Sequence, residues 1–190
     1  MTATEPSALL QSLKRIATML CDAKVRFALA GSAAAYARGG PFGEHDVDFV
    51  VHVEDVTKAL QAAADAGLRT ERPPEGWLVK VYDGESLVDL IFRIHDRDVD
   101  DEMLGRAEIM NVAAVDMPVL DAGDLVVSKL LALSAHHCDF APPLLMVRVL
   151  REQIDWDVVQ GACRESPYAR AFLLLVKLLG IADLRVEETR

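Results

Sequence analysis

Asp46-Val47-Asp48-Phe49-Val50-Val51 sets two acids into an apolar run. Side chains alternate across a strand, so Asp46 and Asp48 share one face while Val47, Phe49 and Val51 share the other. The apolar face belongs to a core. The two carboxylates stand about 7 Å apart at their Cα atoms and repel one another unless water or a cation comes between them. A hard dication with oxygen ligands, magnesium foremost, resolves that repulsion and leaves room for substrate phosphates. Alone, the pair is also what a solvent-facing strand end looks like.

Two neighbouring stretches add context. Upstream, Arg26-Phe27-Ala28-Leu29-Ala30 reads as a short buried strand, and Gly31-Ser32 opens an Ala-rich helical turn through Arg38. At such a junction a missing side chain lets backbone N–H groups approach a phosphate, and a serine hydroxyl adds a donor. Downstream, Asp89 lies inside Ser86-Leu87-Val88-Asp89-Leu90-Ile91-Phe92. An acid in so apolar a strand needs a partner. That partner is either a salt bridge, with Lys80 or Arg93, or a metal shared with Asp46 and Asp48. In the second case Asp89 also stands ready to take a proton from an attacking hydroxyl.

The remaining pattern is mixed. Leu9, Leu13, Ile16 and Leu20 make the apolar stripe of a helix from about Ser7 to Ala23. Strands are expected over Asp46–Val53, Trp77–Tyr82, Leu87–Ile94 and Asn111–Leu120, with a helix from Val56 to Gly67, a loop over 39–43 and a hairpin turn at Asp83-Gly84-Glu85. From Asp121 the periodicity is helical: Leu125, Lys129 and Leu133, then segments 144–151 and 168–179 after a Pro142-Pro143 break. This divides the chain into an α/β core over 1–120 and a helical region over 121–190 that packs on it. Lys129 stands beside Val126, Leu130 and Leu133, and an inward-lying stem is expected.

Composition narrows the function. The 190 residues carry 20 basic and 30 acidic side chains, a net charge of −10, which opposes broad attraction to nucleic acid. No apolar run is long enough to span a bilayer, and Met1 to Pro6 has no basic start followed by a long apolar stretch, so a cytoplasmic protein without membrane contact is expected. Cys21, Cys138 and Cys163 form no C-x-x-C pair and read as reduced, mostly core thiols. His136-His137-Cys138-Asp139 gathers ligand types, but adjacent residues point different ways and do not converge on one ion.

Gly31-Ser32, thirteen intervening residues and Asp46-Val47-Asp48, with Asp89 as a later carboxylate, resemble the signature of the polymerase beta-like nucleotidyltransferase superfamily. The segment Ala122-Gly123-Asp124-Leu125-Val126-Val127-Ser128-Lys129-Leu130-Leu131-Ala132-Leu133 is similar to one in AbiEii-type and MenT-type toxins, where a lysine precedes Leu-x-Ala-Leu. The resemblance implies an α+β (α/β) fold, a mixed sheet with flanking helices and a C-terminal helical region. It implies Mg2+ or Mn2+ on Asp46, Asp48 and Asp89, an NTP bound by Gly31 and Ser32, and Lys129 reaching the triphosphate as a catalytic and nucleotide-binding residue. Those families commonly continue with Arg-Asp-x-x-Asp, where this chain has Arg151-Glu152-Gln153-Ile154-Asp155. Asp155 is the nucleotide-binding counterpart and Glu152 a weaker one.

The activity implied is transfer of a nucleoside monophosphate to an RNA acceptor, the tRNA 3′ end, by the toxin of a toxin–antitoxin pair, with a cognate antitoxin protein as partner. The same chemistry on a small-molecule, antibiotic-like or protein hydroxyl is the alternative, and the negative charge favours it. A non-catalytic binding protein is a third reading, opposed by the three intact acids.

Overall fold

The computed structural model describes residues 6–40 and 46–184. The chain divides into two compact units, Met1–Ala37 with Phe42–Leu120, and Arg38–Pro41 with Asp121–Arg190. In the first, chain order runs α1 (Pro6–Asp22), β1 (Phe27–Ala30), α2 (Gly31–Ala37), β2 (Val47–Val51), a 3-10 turn (Val53–Asp55), α3 (Val56–Asp65), β3 (Arg69–Glu71), β4 (Leu78–Asp83) and β5 (Ser86–Ile91). It continues through the small strands β6 (Arg93–Ile94) and β7 (Arg97–Asp98), then α4 (Asp101–Gly105), β8 (Glu108–Val112) and β9 (Val115–Val119). Seven strands form one sheet in the order β3-β4-β5-β2-β1-β9-β8. β2 runs parallel to β5 and β1 parallel to β9, while the other neighbours are antiparallel, so the sheet is mixed as expected.

The periodicity of α1 fixes how it packs. Leu9, Leu13, Ile16 and Leu20 are all fully buried, each contributing about 1.5–3 kcal/mol relative to exposure. From the same helix, Ser12 Oγ donates to Asp83 Oδ2 at 2.8 Å and Arg15 pairs with Asp83, tying α1 to the β4–β5 turn. Val47, Phe49 and Val51 on β2 are at most 1 % exposed, and Phe49 meets the Phe27 ring edge-on at 5.7 Å. Arg26 knots the start of β1 to its surroundings. Its backbone N–H and Nε donate to Asp55 at 2.8 and 3.0 Å, and its remaining nitrogens reach Glu54 and Asp101.

Two differences from the sequence reading have local causes. The single strand expected over 111–120 is a hairpin, β8 and β9, because Ala113 and Ala114 both adopt positive φ, 52° and 69°. Alanine seldom does this, so no turn signal stood in the sequence. The short pieces β3, β6, β7 and α4 fall below the length at which periodicity can be read. Of the expected loop, Gly39 and Gly40 are turn and bend, and 41–43 lie outside the described residues.

The second unit contains α5 (Ala122–Leu131), α6 (Ala141–Leu150), a 3-10 turn (Arg151–Gln153), α7 (Trp156–Cys163) and α8 (Pro167–Leu178). Leu125, Leu130, Val147, Leu150, Val159 and Phe172 are fully or almost fully buried among these helices. Pro142-Pro143 does not precede α6 but sits inside its first turn, where the missing N–H groups have no intrahelical partner to lose. The helix α7, not anticipated, is started by Asp155, whose carboxylate accepts from the N–H groups of Asp157 and Val158. Only Cys163 of the three thiols is buried; Cys21 and Cys138 are exposed. Among the described residues no helix is long and apolar enough to cross a membrane.

Candidate metal centre

Strand register assembles the site. Asp48 on β2 stands opposite Ala30 on β1 and opposite Asp89 on β5. Because β2 and β5 run parallel and in register, each delivers one acid at the same level of the sheet and on the same face. Asp46, two residues earlier, adds a third carboxylate just before β2 begins. One oxygen from each of Asp46, Asp48 and Asp89 can be chosen so that all lie within 4.8 Å of one another. Like charges at that separation repel by roughly 1–3 kcal/mol per pair for effective dielectric constants between water and a protein surface. The cluster therefore calls for countercharge.

Gly31 shapes the adjoining wall. Its φ is +58°, and a Cβ there would fall 1.9 Å from Asp48 Oδ2. No L side chain fits without expelling the carboxylate, so the Gly-Ser step allows β1 to turn into α2 directly against Asp48. Ser32 follows in the first turn of α2.

Asp89 is the most enclosed of the three, 9 % exposed. Burial pushes its carboxyl above the usual range; the nearby Lys80 ammonium opposes that rise and Asp46 adds to it. Lys80 Nζ lies 3.6 Å from Asp89 Oδ1, an ion-pair distance. The same oxygen is buried and has no hydrogen-bond partner. Of the two salt-bridge partners open in the sequence, Lys80 is the one observed; Arg93 pairs with Asp98 at 2.7 Å. Lys80, named from the sequence as one possible partner of Asp89, is thus a neighbour of the acidic cluster. The signal was there: the turn between Asp83 and Ser86 sets a hairpin register that carries Lys80 opposite Asp89.

These residues suit a divalent ion. Three acidic oxygens converge, one is an orphaned acceptor that a cation would satisfy, and the glycine cradle keeps the space beside Asp48 clear of side chains. Ligand oxygens on one octahedral magnesium stand about 3–4.2 Å apart, within a small side-chain rotation of the separations seen.

The other expected residues belong to the second unit. Lys129 lies in the last turn of α5 and is exposed. By spacing it continues the row of Leu125 and Leu133, but at that end of the helix its side chain meets solvent. Asp155 caps α7, and Glu152 pairs with Arg151 at 3.0 Å. In the exposed segment His136-His137-Cys138-Asp139, His136 lies in a turn closed by paired backbone bonds between Ser134 and His137, and Cys138 and Asp139 follow it. Among the described residues the Asp46, Asp48 and Asp89 group alone has metal-ligand geometry.

No family model matches the chain, and no curated protein matches it in sequence. Solved structures do match in fold. The antibiotic-resistance factor ANT(2'')-Ia in complex with adenylyl-2''-tobramycin is 14 % identical, with 87 % of this chain and 97 % of that one covered and a TM-score of 0.54. The lincosamide antibiotic adenylyltransferase LnuA, lincomycin-bound, is 17 % identical over 80 % of this chain and 98 % of that one, again at 0.54. An antigenic nucleotidyltransferase-like protein from Paracoccidioides brasiliensis is 14 % identical over 94 % and 91 %, with a TM-score of 0.56. None of the three supports the narrower toxin branch. A sheet of this order, with Gly31 packed against Asp48 and Asp89 beside it, and likeness to these structures along most of its length together show that the chain has the polymerase beta-like nucleotidyltransferase fold.

Proposed function

We propose that this protein is a divalent-metal nucleotidyltransferase that moves a nucleoside monophosphate from an NTP to the hydroxyl of a small, antibiotic-like molecule. The convergence of Asp46, Asp48 and Asp89 beside the Gly31 cradle carries the chemistry. The fold likeness to an antibiotic-resistance factor in complex with adenylyl-2''-tobramycin and to a lincosamide antibiotic adenylyltransferase supports the acceptor class. So does the net charge of −10, which favours a small cationic acceptor over a long nucleic-acid polyanion.

In this reading Asp46, Asp48 and Asp89 hold Mg2+ or Mn2+, which when bound neutralises charge on the triphosphate and on the attacking oxygen. Gly31 lets the phosphates approach the backbone, and the Ser32 hydroxyl donates to a phosphate oxygen. Asp89 accepts the proton of the acceptor hydroxyl, as its place in the acidic cluster allows. The hydroxyl oxygen then bonds to the α-phosphorus as the bond to the bridging oxygen breaks, and pyrophosphate leaves with that electron pair. Lys129 as a triphosphate-binding and catalytic residue, and Asp155 as a nucleotide-binding one, rest on the sequence resemblance alone.

The acceptor is tested by incubating the protein with each α-labelled NTP and Mg2+, against a panel of aminoglycosides and lincosamides and, separately, total tRNA. Label on a small hydroxyl compound is the expected result. Label on the tRNA 3′ end with none on the panel would return the acceptor to RNA, and with it the toxin–antitoxin reading and its protein antitoxin.

A further inference from the structure

A row of charge crosses the sheet at the level of the site. Glu71 on β3 stands opposite Lys80 on β4, Lys80 opposite Asp89 on β5, and Asp89 opposite Asp48 on β2. Directly opposed residues share a face and are close enough to interact. The order along the row is thus acid, base, acid, acid.

Lys80 is not locked by its outer neighbour. Glu71 accepts from the Tyr82 hydroxyl at 2.9 Å and lies 3.6 Å from Arg69. On the inner side Lys80 Nζ stops 3.6 Å from Asp89 Oδ1, too far for a hydrogen bond, and that oxygen is the buried acceptor left without a partner. The Lys80 side chain is 29 % exposed, against 12 % for Asp89. It therefore has solvent to retreat into, whereas Asp89 has none to spare. Asp89 Oδ1 also belongs to the carboxylate that the proposed metal needs, so ammonium and dication would seek the same group.

We propose that Lys80 is a positioning residue that serves as a resident counter-ion: it steadies Asp89 while the cluster holds no divalent ion, and it competes with that ion for Asp89 when one binds. This rests on the metal site proposed above. Lys80 carries the same sign of charge as the metal, so it raises the metal concentration at which the site fills while protecting the empty site from its own repulsion. The two effects have opposite signs, and a purely structural lysine would show only the second.

The test is Mn2+ titration of the full chain by calorimetry, together with thermal unfolding in EDTA and in Mn2+. Lys80→Met is expected to bind Mn2+ about tenfold more tightly, to melt lower than wild type in EDTA, and to gain more from added Mn2+. Lys80→Arg keeps the charge and should return both values close to wild type. Lys80→Gln provides a second neutral variant if Lys80→Met does not fold. Unchanged or weaker Mn2+ binding in the folded neutral variant, with normal binding in wild type, overturns the role given to Lys80 and leaves the metal site standing. Absence of Mn2+ binding in wild type overturns the metal site itself. A raised KM for NTP at unchanged Mn2+ affinity would instead make Lys80 a nucleotide contact.

Discussion

Gly31 and Asp48 are separated by seventeen positions in the chain and are in contact in the fold, which is why neither reads as decisive alone. Replacing Gly31 with alanine meets two obstacles, a φ of +58° and a Cβ 1.9 Å from Asp48 Oδ2. The first costs about 1–2 kcal/mol. The second moves a proposed metal ligand. Gly31→Ala should therefore lower thermal stability and, beyond that, weaken Mn2+ binding measured on the folded protein; stability lost with metal affinity intact would show that the carboxylate had not been displaced. At this scale the acids were legible because polar residues inside apolar strands are anomalies that ask for a partner. Lys80 was legible only as one of two possible partners of Asp89, because the choice between it and Arg93 rests on the hairpin register that puts Lys80 opposite Asp89.

Elements explain both what could be read and what could not. The stripe of α1 and the apolar row of β2 repeat often enough to be recognised, and both lie where their periodicity puts them. The β8–β9 hairpin hides its turn behind two alanines with positive φ. Ala113→Asn with Ala114→Gly supplies residues that tolerate that backbone and should raise stability by about 1–2 kcal/mol in denaturant unfolding. No gain would mean that the turn is not held in this form. In α7, Asp155→Ala should cost about 1 kcal/mol through the lost cap, while Asp155→Asn keeps the cap and removes the charge. Nucleotide affinity that falls in the asparagine variant at unchanged stability is the result that would support a binding role for Asp155. Arg26 gives the β1 entrance a pH signature. Its side chain and backbone N–H hold Asp55 down to about 2 from an ordinary 3.8, against the opposing effect of burial. A depressed carboxyl contributes stability that is complete above its unfolded value and is lost as pH falls through the folded one. Wild type should thus lose more stability than Asp55→Asn between about pH 4 and pH 2, as read from melting curves. Parallel curves would show that the knot carries no such linkage.

Across the whole molecule, the alternation of strands and helices in the first part and the helical character of the later chain were accessible from pattern, because strand and helix periods differ enough to separate, whereas the mixed pairing of the sheet came from the family resemblance. The acceptor was not. Acceptor choice depends on surfaces whose residues have no fixed spacing, and the net charge of −10 speaks only to the sign of what approaches. The chemistry itself depends on three carboxylates being brought to one place, and that is open to direct measurement. Transfer of label from an α-labelled NTP, with the acceptor that wild type labels, should require Mg2+ or Mn2+ and should fall at least about a hundredfold in Asp89→Asn, a folded variant that lacks the proposed base and one metal ligand. Transfer that proceeds in EDTA, or that continues undiminished in Asp89→Asn at saturating metal, would contradict the assignment of Asp46, Asp48 and Asp89 as the reacting centre.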